Sequence, residues 1–228
     1  MRARIEAPKS FGPFSVDCRA CPRLARHLSE VRAEYPEYHG KPVPAFGDPA
    51  PRLLIVGLAP GMHGATRTGR PFTGDDAGVL LYETLHRYGY GNQAQALAPN
   101  DGLQLSGCRI TNAVKCLPPQ NKPKPDEVRR CNAHLKVELA ALPSGSSVLA
   151  LGAIAHQAVL MAFGLKRGKY VFAHGAQHAL PSGHALFDSY HCSRYNTNTK
   201  RLTAGMFRDV FEAIASHVPK KCAQPGTR

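Results

Sequence analysis

The sequence predicts an α/β fold, a three-layer α/β/α arrangement around a central parallel four-stranded sheet. Short apolar runs alternate with longer segments whose apolar residues recur at helical spacing, a pattern typical of a parallel sheet covered by helices. The 228 residues, 43% of them hydrophobic, are enough for one well-cored domain spanning residues 1–228. Polar residues follow several of the apolar runs, where the strands of such a sheet end.

The apolar runs give the order of the elements. The predicted core strands are residues 53–58, 108–114, 148–151 and 185–191, and residues 169–172 are a candidate short strand. The predicted helices are residues 76–88, 126–142, 153–163 and 203–217, with Pro125 placed before the second of them, as expected at a helix start. Another helix begins near Cys21 and runs towards Tyr35, whereas the prolines of residues 41–49 predict extended chain or loop.

The charge of the chain predicts a polyanionic partner. It has 29 basic and 16 acidic residues, a net charge of +13 and a pI near 9.7, so nucleic acid is the first candidate. No apolar span approaches about 18 residues and no signal peptide begins the chain, which predicts a cytoplasmic protein without a membrane partner. Residues 218–228 are expected to be a flexible basic tail.

The segment of residues 57–75, GLAPGMHGATRTGRPFTGD, is the most distinctive of the chain. It lacks the spacing of a phosphate-binding P-loop and the dinucleotide fingerprint G-x-G-x-x-G. Its glycines allow close approach of backbone to a ligand, and it follows a buried strand, so we expect a pocket floor that Phe72 and Asp75 face. From the residues alone, Asp75 fits a helix N-cap as well as a site carboxylate.

Three predicted strand ends carry polar or glycine-rich positions. Ala59 to Gly61 follow the first strand, Asn112 lies near the end of the second, and His191 ends the last. Because parallel strands end at one edge of the sheet, these positions are expected to converge. The polar residues after His191 are of types that contact phosphates.

Four of the seven cysteines form a pattern: a CxxC at Cys18 and Cys21, and a second pair at Cys116 and Cys131. Such a set fits a metal site holding zinc or an iron–sulfur cluster, and the long spacing suits a cluster joining two distant segments at least as well as zinc. The alternative is four unrelated buried thiols. The remaining cysteines, Cys108, Cys192 and Cys222, are interpreted as ordinary thiols.

Together, GLAPGMHGATRTGRPFTGD, ITNAVKC and HCSR resemble the uracil-DNA glycosylase superfamily, most closely its family 5, or type-B, enzymes. The resemblance covers roughly residues 18 to 215. It implies a monofunctional DNA repair enzyme that hydrolyses the N-glycosidic bond of uracil, and of other deaminated bases, and leaves an abasic site. It also implies that the four patterned cysteines hold a 4Fe-4S cluster tying residues 1–50 to the rest of the domain.

The resemblance further implies the roles of the site residues. Asp75 and His191 are the implied catalytic residues, and the implied substrate-binding residues are Ala59, Gly61, Phe72, Asn112, Ser193 and Arg194. The expected partner is DNA containing deaminated bases, bound by a monomer, and the candidates for lining the DNA path are Arg67, Arg70, Lys200 and Arg201. Two alternatives remain at this point: a non-catalytic zinc or iron–sulfur nucleic-acid binder, and a hydrolase of free nucleosides.

Overall fold

A six-stranded sheet forms the centre of the molecule. The structure, a computed structural model, describes residues 14–217, so the predicted tail of residues 218–228 lies outside it. In chain order the strands are β1 (Phe46–Gly47), β2 (Leu53–Gly57), β3 (Cys108–Asn112), β4 (Ser147–Leu151), β5 (Gln177–Ala179) and β6 (Ala185–Ser189). Their order in the sheet is β1-β3-β2-β4-β6-β5. The middle four strands are parallel, which confirms the predicted core, and the edge strands β1 and β5 are antiparallel to their neighbours.

The longer helices cover both faces of this sheet. The helices are α1 (Pro22–Glu34), α2 (Ala65–Thr68), α3 (Asp76–Arg87), α4 (Pro125–Ala140), α5 (Ala153–Ala162), α6 (Arg194–Asn198) and α7 (Ala204–His217). Alternate residues of β2 point to opposite faces: Leu54 and Val56 pack with α1, α4 and α5, whereas Leu53 and Ile55 pack with α3 and α7. The fold is therefore the predicted three-layer α/β/α arrangement, and no helix within residues 14–217 is long and apolar enough to cross a bilayer.

Local sequence explains where these helices begin and what they bury. Pro22 occupies the first turn of α1, where its missing N–H costs nothing, and the helix buries Leu24, Leu28 and Val31 at the spacing of one face. Helix α4 begins in the same way at Pro125, as the sequence predicts. Helix α3 buries Leu81 and Leu85, whereas its Val79 side chain is 57% exposed.

The sheet edges differ from the prediction. Residues 169–172 are not a strand: the first of them belongs to a 3-10 turn at Arg167–Lys169, and the edge strand is β5, at Gln177–Ala179. Strand β1 lies in the proline-rich segment that was predicted to be extended or loop. Each edge strand pairs on one side only and is only two or three residues long, so neither requires the continuous apolar run that marks a buried strand.

Candidate active site

The parallel register brings the ends of β2 and β3 side by side. Gly57 ends β2 and is paired with Asn112, which ends β3. A Cβ on Gly57 would lie 2.4 Å from Asn112 Oδ1 and 2.8 Å from Phe72 Cζ, so only glycine allows these two side chains to lie against the strand. The loop that follows β2 therefore returns to the sheet and places Phe72 beside Asn112.

A cavity of about 360 Å³ opens at this edge of the sheet. Its lining residues are Leu58, Ala59, Gly61, Ala65, Phe72, Asp75, Ala77, Asn112, Asn121, His191 and Ser193. The volume lies within the range of small-molecule sites. All but one of the residues expected at the site line this cavity, and Arg194 is the exception.

Phe72 and His191 form one side of the cavity. Their rings are stacked, with centroids 5.8 Å apart and planes at 29°. Phe72 has a positive φ of 53°, a strained conformation for an aromatic residue that persists only where the surroundings enforce it. Tyr82 contributes by donating from its hydroxyl to the carbonyl of the preceding Pro71 at 2.7 Å, and Gly78 leaves room for the Phe72 carbonyl.

The Asn112 side chain is the most informative polar group of the site. It is 3% exposed, and its Oδ1 atom is buried without a hydrogen-bond partner among the described residues. An unpaired buried acceptor costs about 1–3 kcal/mol, and most are paired in folded proteins. The Asn112 side chain therefore lines the cavity with an acceptor that no described residue satisfies.

Asp75 lines the cavity and also caps helix α3. Its Oδ1 accepts a hydrogen bond from the backbone N–H of Gly78 at 3.1 Å, so the helix end fixes the direction of the carboxylate. Burial raises the pKa of the Asp75 carboxyl, and the backbone N–H groups of Gly78 and Ala77 oppose that rise. The sequence left two positions possible for Asp75, a helix N-cap and a group facing a cavity. In the structure the residue occupies both.

His191 lies two residues beyond the end of β6, and the predicted strand was too long by that amount. Burial lowers the pKa of His191 to about 4, so the ring is neutral at pH 7. The Asn196 side chain donates to the His191 carbonyl at 2.8 Å, and Ser193 caps the short helix α6. The turn after β6 thus holds a neutral imidazole at the cavity.

The three arginines near the site differ in their exposure and in their hydrogen-bond partners. Arg194 is 74% exposed at its side chain and lies 3.5 Å from Asp76, so it remains available at the rim. Arg70 is 5% exposed and donates to Asp101 at 2.7 Å. The expectation that Arg70 lines a DNA path is therefore wrong, because its charge is held in a buried ion pair. Arg67 donates to the carbonyls of its own loop, at His63 and Gly74.

Asn121 is the polar lining residue that the sequence analysis missed. It ends the 3-10 turn Pro119–Asn121 with a left-handed φ of 56° and reaches the cavity from the loop between the second pair of cysteines. Asparagine tolerates this conformation, and its presence among prolines is typical of a turn. A turn signal does not reveal which cavity the turn approaches, so nothing in the sequence distinguished Asn121 from an ordinary loop residue.

A second, small cavity is lined by all four patterned cysteines, Cys18, Cys21, Cys116 and Cys131. Burial, reinforced by the neighbouring thiols, raises the pKa values of Cys116 and Cys131, the latter to about 11. The Lys115 backbone N–H donates to Cys131 Sγ at 3.3 Å. Within residues 14–217, no three of these four sulfur atoms all lie within 4.8 Å of one another.

The other thiols lie elsewhere. Cys108 and Cys192 are buried in the hydrophobic core beneath α3 and α7, as expected of ordinary thiols. Cys222 lies outside the described residues. The four patterned cysteines, from the N-terminal segment, the chain after β3, and α4, are therefore gathered at one place apart from these two.

Comparison with known proteins agrees with this geometry. The profile of the uracil DNA glycosylase superfamily matches residues 44–215. A type-5 uracil-DNA glycosylase of Thermus thermophilus is 48% identical over 198 residues, covering 85% of this chain and 90% of that protein. One of Pyrobaculum aerophilum is 38% identical over 222 residues, covering 94% of this chain and 96% of that protein.

A type-4 enzyme from the same Pyrobaculum species is a more limited match. It is 34% identical over 134 residues, covering 58% of this chain and 60% of that protein. The similarity to the type-5 enzymes is thus higher in identity and extends over nearly the whole chain. The chain belongs to the uracil-DNA glycosylase superfamily, and within it to the type-5 enzymes.

Proposed function

We propose that this protein is a DNA repair glycosylase that hydrolyses the N-glycosidic bond of uracil in DNA and leaves an abasic site. The observation that carries the proposal is the unpaired Asn112 Oδ1, buried beside Phe72 in a cavity that Asp75 and His191 also line. The N3–H group of uracil is a donor that this acceptor lacks. The net charge of +13 provides the attraction to DNA.

Recognition of the base requires that it leave the duplex, because its glycosidic bond is inaccessible inside the stack. In the cavity the uracil ring packs against Phe72. The Asn112 amide reads the edge of the base, since its carbonyl accepts from N3–H and its amino group donates to a uracil carbonyl. Other deaminated bases also present an N–H next to a carbonyl, so we include them among the substrates.

The bond breaks as the base departs with negative charge and the sugar becomes oxocarbenium-like, as in related glycoside chemistry. His191 is neutral and donates a hydrogen bond to the oxygen on which the charge develops, and backbone N–H groups near Ala59 and Gly61 assist. One such donor contributes about 3 kcal/mol of transition-state stabilisation. Asp75 orients the attacking water and offsets the positive charge on the sugar.

The remaining assignments concern DNA binding and the course of the reaction. Ser193 and the exposed Arg194 hold phosphates flanking the extruded nucleotide. The proposed mechanism requires no lysine nucleophile, so the reaction is simple hydrolysis by a monofunctional enzyme. We further propose that the protein acts as a monomer, with residues 1–50 joined to the sheet through the cysteines.

We propose that Cys18, Cys21, Cys116 and Cys131 hold a 4Fe-4S cluster, with zinc as the alternative. The long stretch of chain between the two cysteine pairs suits a cluster that joins distant segments at least as well as zinc. The Lys115 N–H that donates to Cys131 supports the proposal, because hydrogen bonds to the sulfur atoms are typical of such clusters. The cluster is structural: it joins the N-terminal segment to α4.

The colour and metal content of the purified protein test this assignment. Protein purified without oxygen is expected to be brown and to contain about four iron atoms per chain. Colourless protein with one zinc ion per chain would establish the alternative.

The experiment that tests the function uses an oligonucleotide with a single uracil, incubated with the protein and then treated with alkali. We expect strand breakage at the uracil, with little breakage after incubation with Asp75→Asn. Normal DNA binding without breakage would support the non-catalytic binder. If the protein neither bound nor cleaved the oligonucleotide but released bases from free nucleosides, the nucleoside hydrolase would be correct.

A further inference from the structure

Three side chains from three elements meet near the β5 edge of the sheet: His156 of α5, His178 of β5 and Asp188 of β6. One potential metal-binding atom from each lies within 4.8 Å of the other two. His156 Nδ1 is 2.8 Å from Asp188 Oδ1, and His178 Nε2 is 3.3 Å from Asp188 Oδ2. The proposed glycosylase mechanism uses none of them.

Asp188 requires a positive charge beside it. It is fully buried, and the ion-pairing partners it has among residues 14–217 are these two histidines. An isolated carboxylate in the interior is strongly disfavoured, so buried charges are paired or coordinate a metal. A neutral histidine supplies a hydrogen bond but no charge.

The hydrogen bond of His156 Nε2 shows which ring nitrogen carries a hydrogen atom. His156 Nε2 is 3.0 Å from the Tyr170 carbonyl oxygen, which only accepts hydrogen bonds, so Nε2 carries a hydrogen atom. In a neutral ring, Nδ1 then presents a lone pair towards the Asp188 oxygen. Two facing lone pairs at 2.8 Å repel each other, so the arrangement needs either a proton shared by the two atoms or a metal ion that both of them bind.

We propose that His156 Nδ1, His178 Nε2 and a carboxylate oxygen of Asp188 form a binding site for a divalent metal ion of the zinc class. Two imidazoles and one carboxylate are a ligand set that zinc accepts, with water in the fourth position, whereas magnesium and calcium prefer oxygen ligands alone. The Tyr170 carbonyl orients His156 as the outer partner of a metal-bound histidine typically does. His178 is 15% exposed on the edge strand, which provides a route for the ion.

Such an ion would join α5 and the edge strand β5 to β6. Strand β6 continues directly to the turn that carries His191, so the site stabilises the strand that positions the imidazole of the active site. It lies on different elements from the cysteines, which come from the N-terminal segment, the chain after β3, and α4. The two metal sites can therefore be distinguished by their ligand atoms.

X-ray absorption at the zinc edge distinguishes zinc at the histidine–aspartate site from zinc at the cysteines. Zn–N and Zn–O bonds are about 2.0–2.2 Å long, whereas Zn–S bonds are about 2.3 Å. Full-length protein with its cysteines intact is equilibrated with zinc chloride and freed of excess metal. We expect about one zinc per chain with a nitrogen and oxygen shell. That zinc should be lost in His178→Ala and retained in His27→Ala, a matched control whose histidine pairs with Glu30 at the surface of α1.

Thermal unfolding with and without zinc is a second readout, which still applies if His178→Ala is less stable than the wild type. Zinc should raise the unfolding midpoint of the wild type and of His27→Ala but not that of His178→Ala. Zinc bound through sulfur alone, or a nitrogen and oxygen shell that His178→Ala leaves unchanged, would overturn the proposal. Absence of bound zinc would do the same, and a proton on His156 would then neutralise Asp188.

Discussion

Substitution of Gly64 by alanine tests whether the position of the Asp75 carboxylate matters for the reaction. A Cβ at residue 64 would lie 2.1 Å from Asp75 Oδ2 and 2.6 Å from its Cγ. An ordinary contact begins at about 3.4 Å, so the carboxylate must move by about 1.3 Å. Misplacement of a reacting group by about 1 Å can cost about 10²-fold in rate, and we expect a loss of that order in single-turnover uracil release.

Stability and binding measurements separate this displacement from unfolding. If the carboxylate leaves Gly78 N–H, loss of the helix cap costs about 1 kcal/mol, which lowers the unfolding midpoint by about 2–4 °C for a chain of this size. Affinity for uracil-containing DNA should remain near that of the wild type. Gly61→Ala is a graded comparison, because its Cβ would meet the same oxygen at 3.4 Å and most of the rate should remain.

Gly168→Ala is the control for the substitution itself, since a Cβ there meets nothing within 4 Å. A Gly64→Ala protein with the full single-turnover rate would refute the reasoning. It would show either that Asp75 has no part in the reaction or that its carboxylate tolerates displacement.

Three further predictions concern the Phe72 ring, the pH dependence of the rate, and two of the arginines. Phe72→Ala should reduce the single-turnover rate about 10-fold or more, because base–aromatic stacking contributes about 1–3 kcal/mol, and an unchanged rate would count against stacking. The rate should fall as the pH drops through the raised pKa of Asp75 and the pKa of His191, about 4, with no histidine step at the ordinary value of 6.5. A histidine titration at 6.5 would contradict a neutral buried His191. Arg70→Ala should lower the free energy of unfolding by about 1–3 kcal/mol, because the partly buried Asp101 loses its charged partner but keeps its backbone N–H donors. The salt dependence of DNA binding by the folded protein should not change. Arg194→Ala should leave the stability nearly unchanged and reduce by about 1 the slope of log DNA affinity against log salt concentration. Equal effects of the two substitutions would refute the distinction between a structural Arg70 and a DNA-binding Arg194.

The sequence predicts best what depends on continuous burial. Strands β2, β4 and β6 are buried along their whole length, so their apolar runs were recognisable and the parallel core followed. Strands β1 and β5 pair on one side and have two and three residues, too few to show a period. The edges of the sheet were therefore missed or misplaced for a physical reason.

The site shows the same division. Asn112 and His191 were found because they lie at or near the ends of predicted strands, and those ends must meet at one edge. Asn121 was missed because its place depends on how an irregular loop folds back, and Arg70 was misassigned because its partner Asp101 lies 31 residues away in another loop. Local pattern does not determine which distant charge a side chain meets.

The most direct test of the central claim is a crystal structure of Asp75→Asn bound to duplex DNA containing one deoxyuridine. The variant should bind the DNA while leaving the glycosidic bond intact. We predict that the uracil lies outside the duplex in the cavity, with its ring against Phe72 and N3 within hydrogen-bonding distance of Asn112 Oδ1. A uracil that remains stacked in the duplex, or that binds elsewhere while Asn112 Oδ1 stays unpaired, would contradict the account.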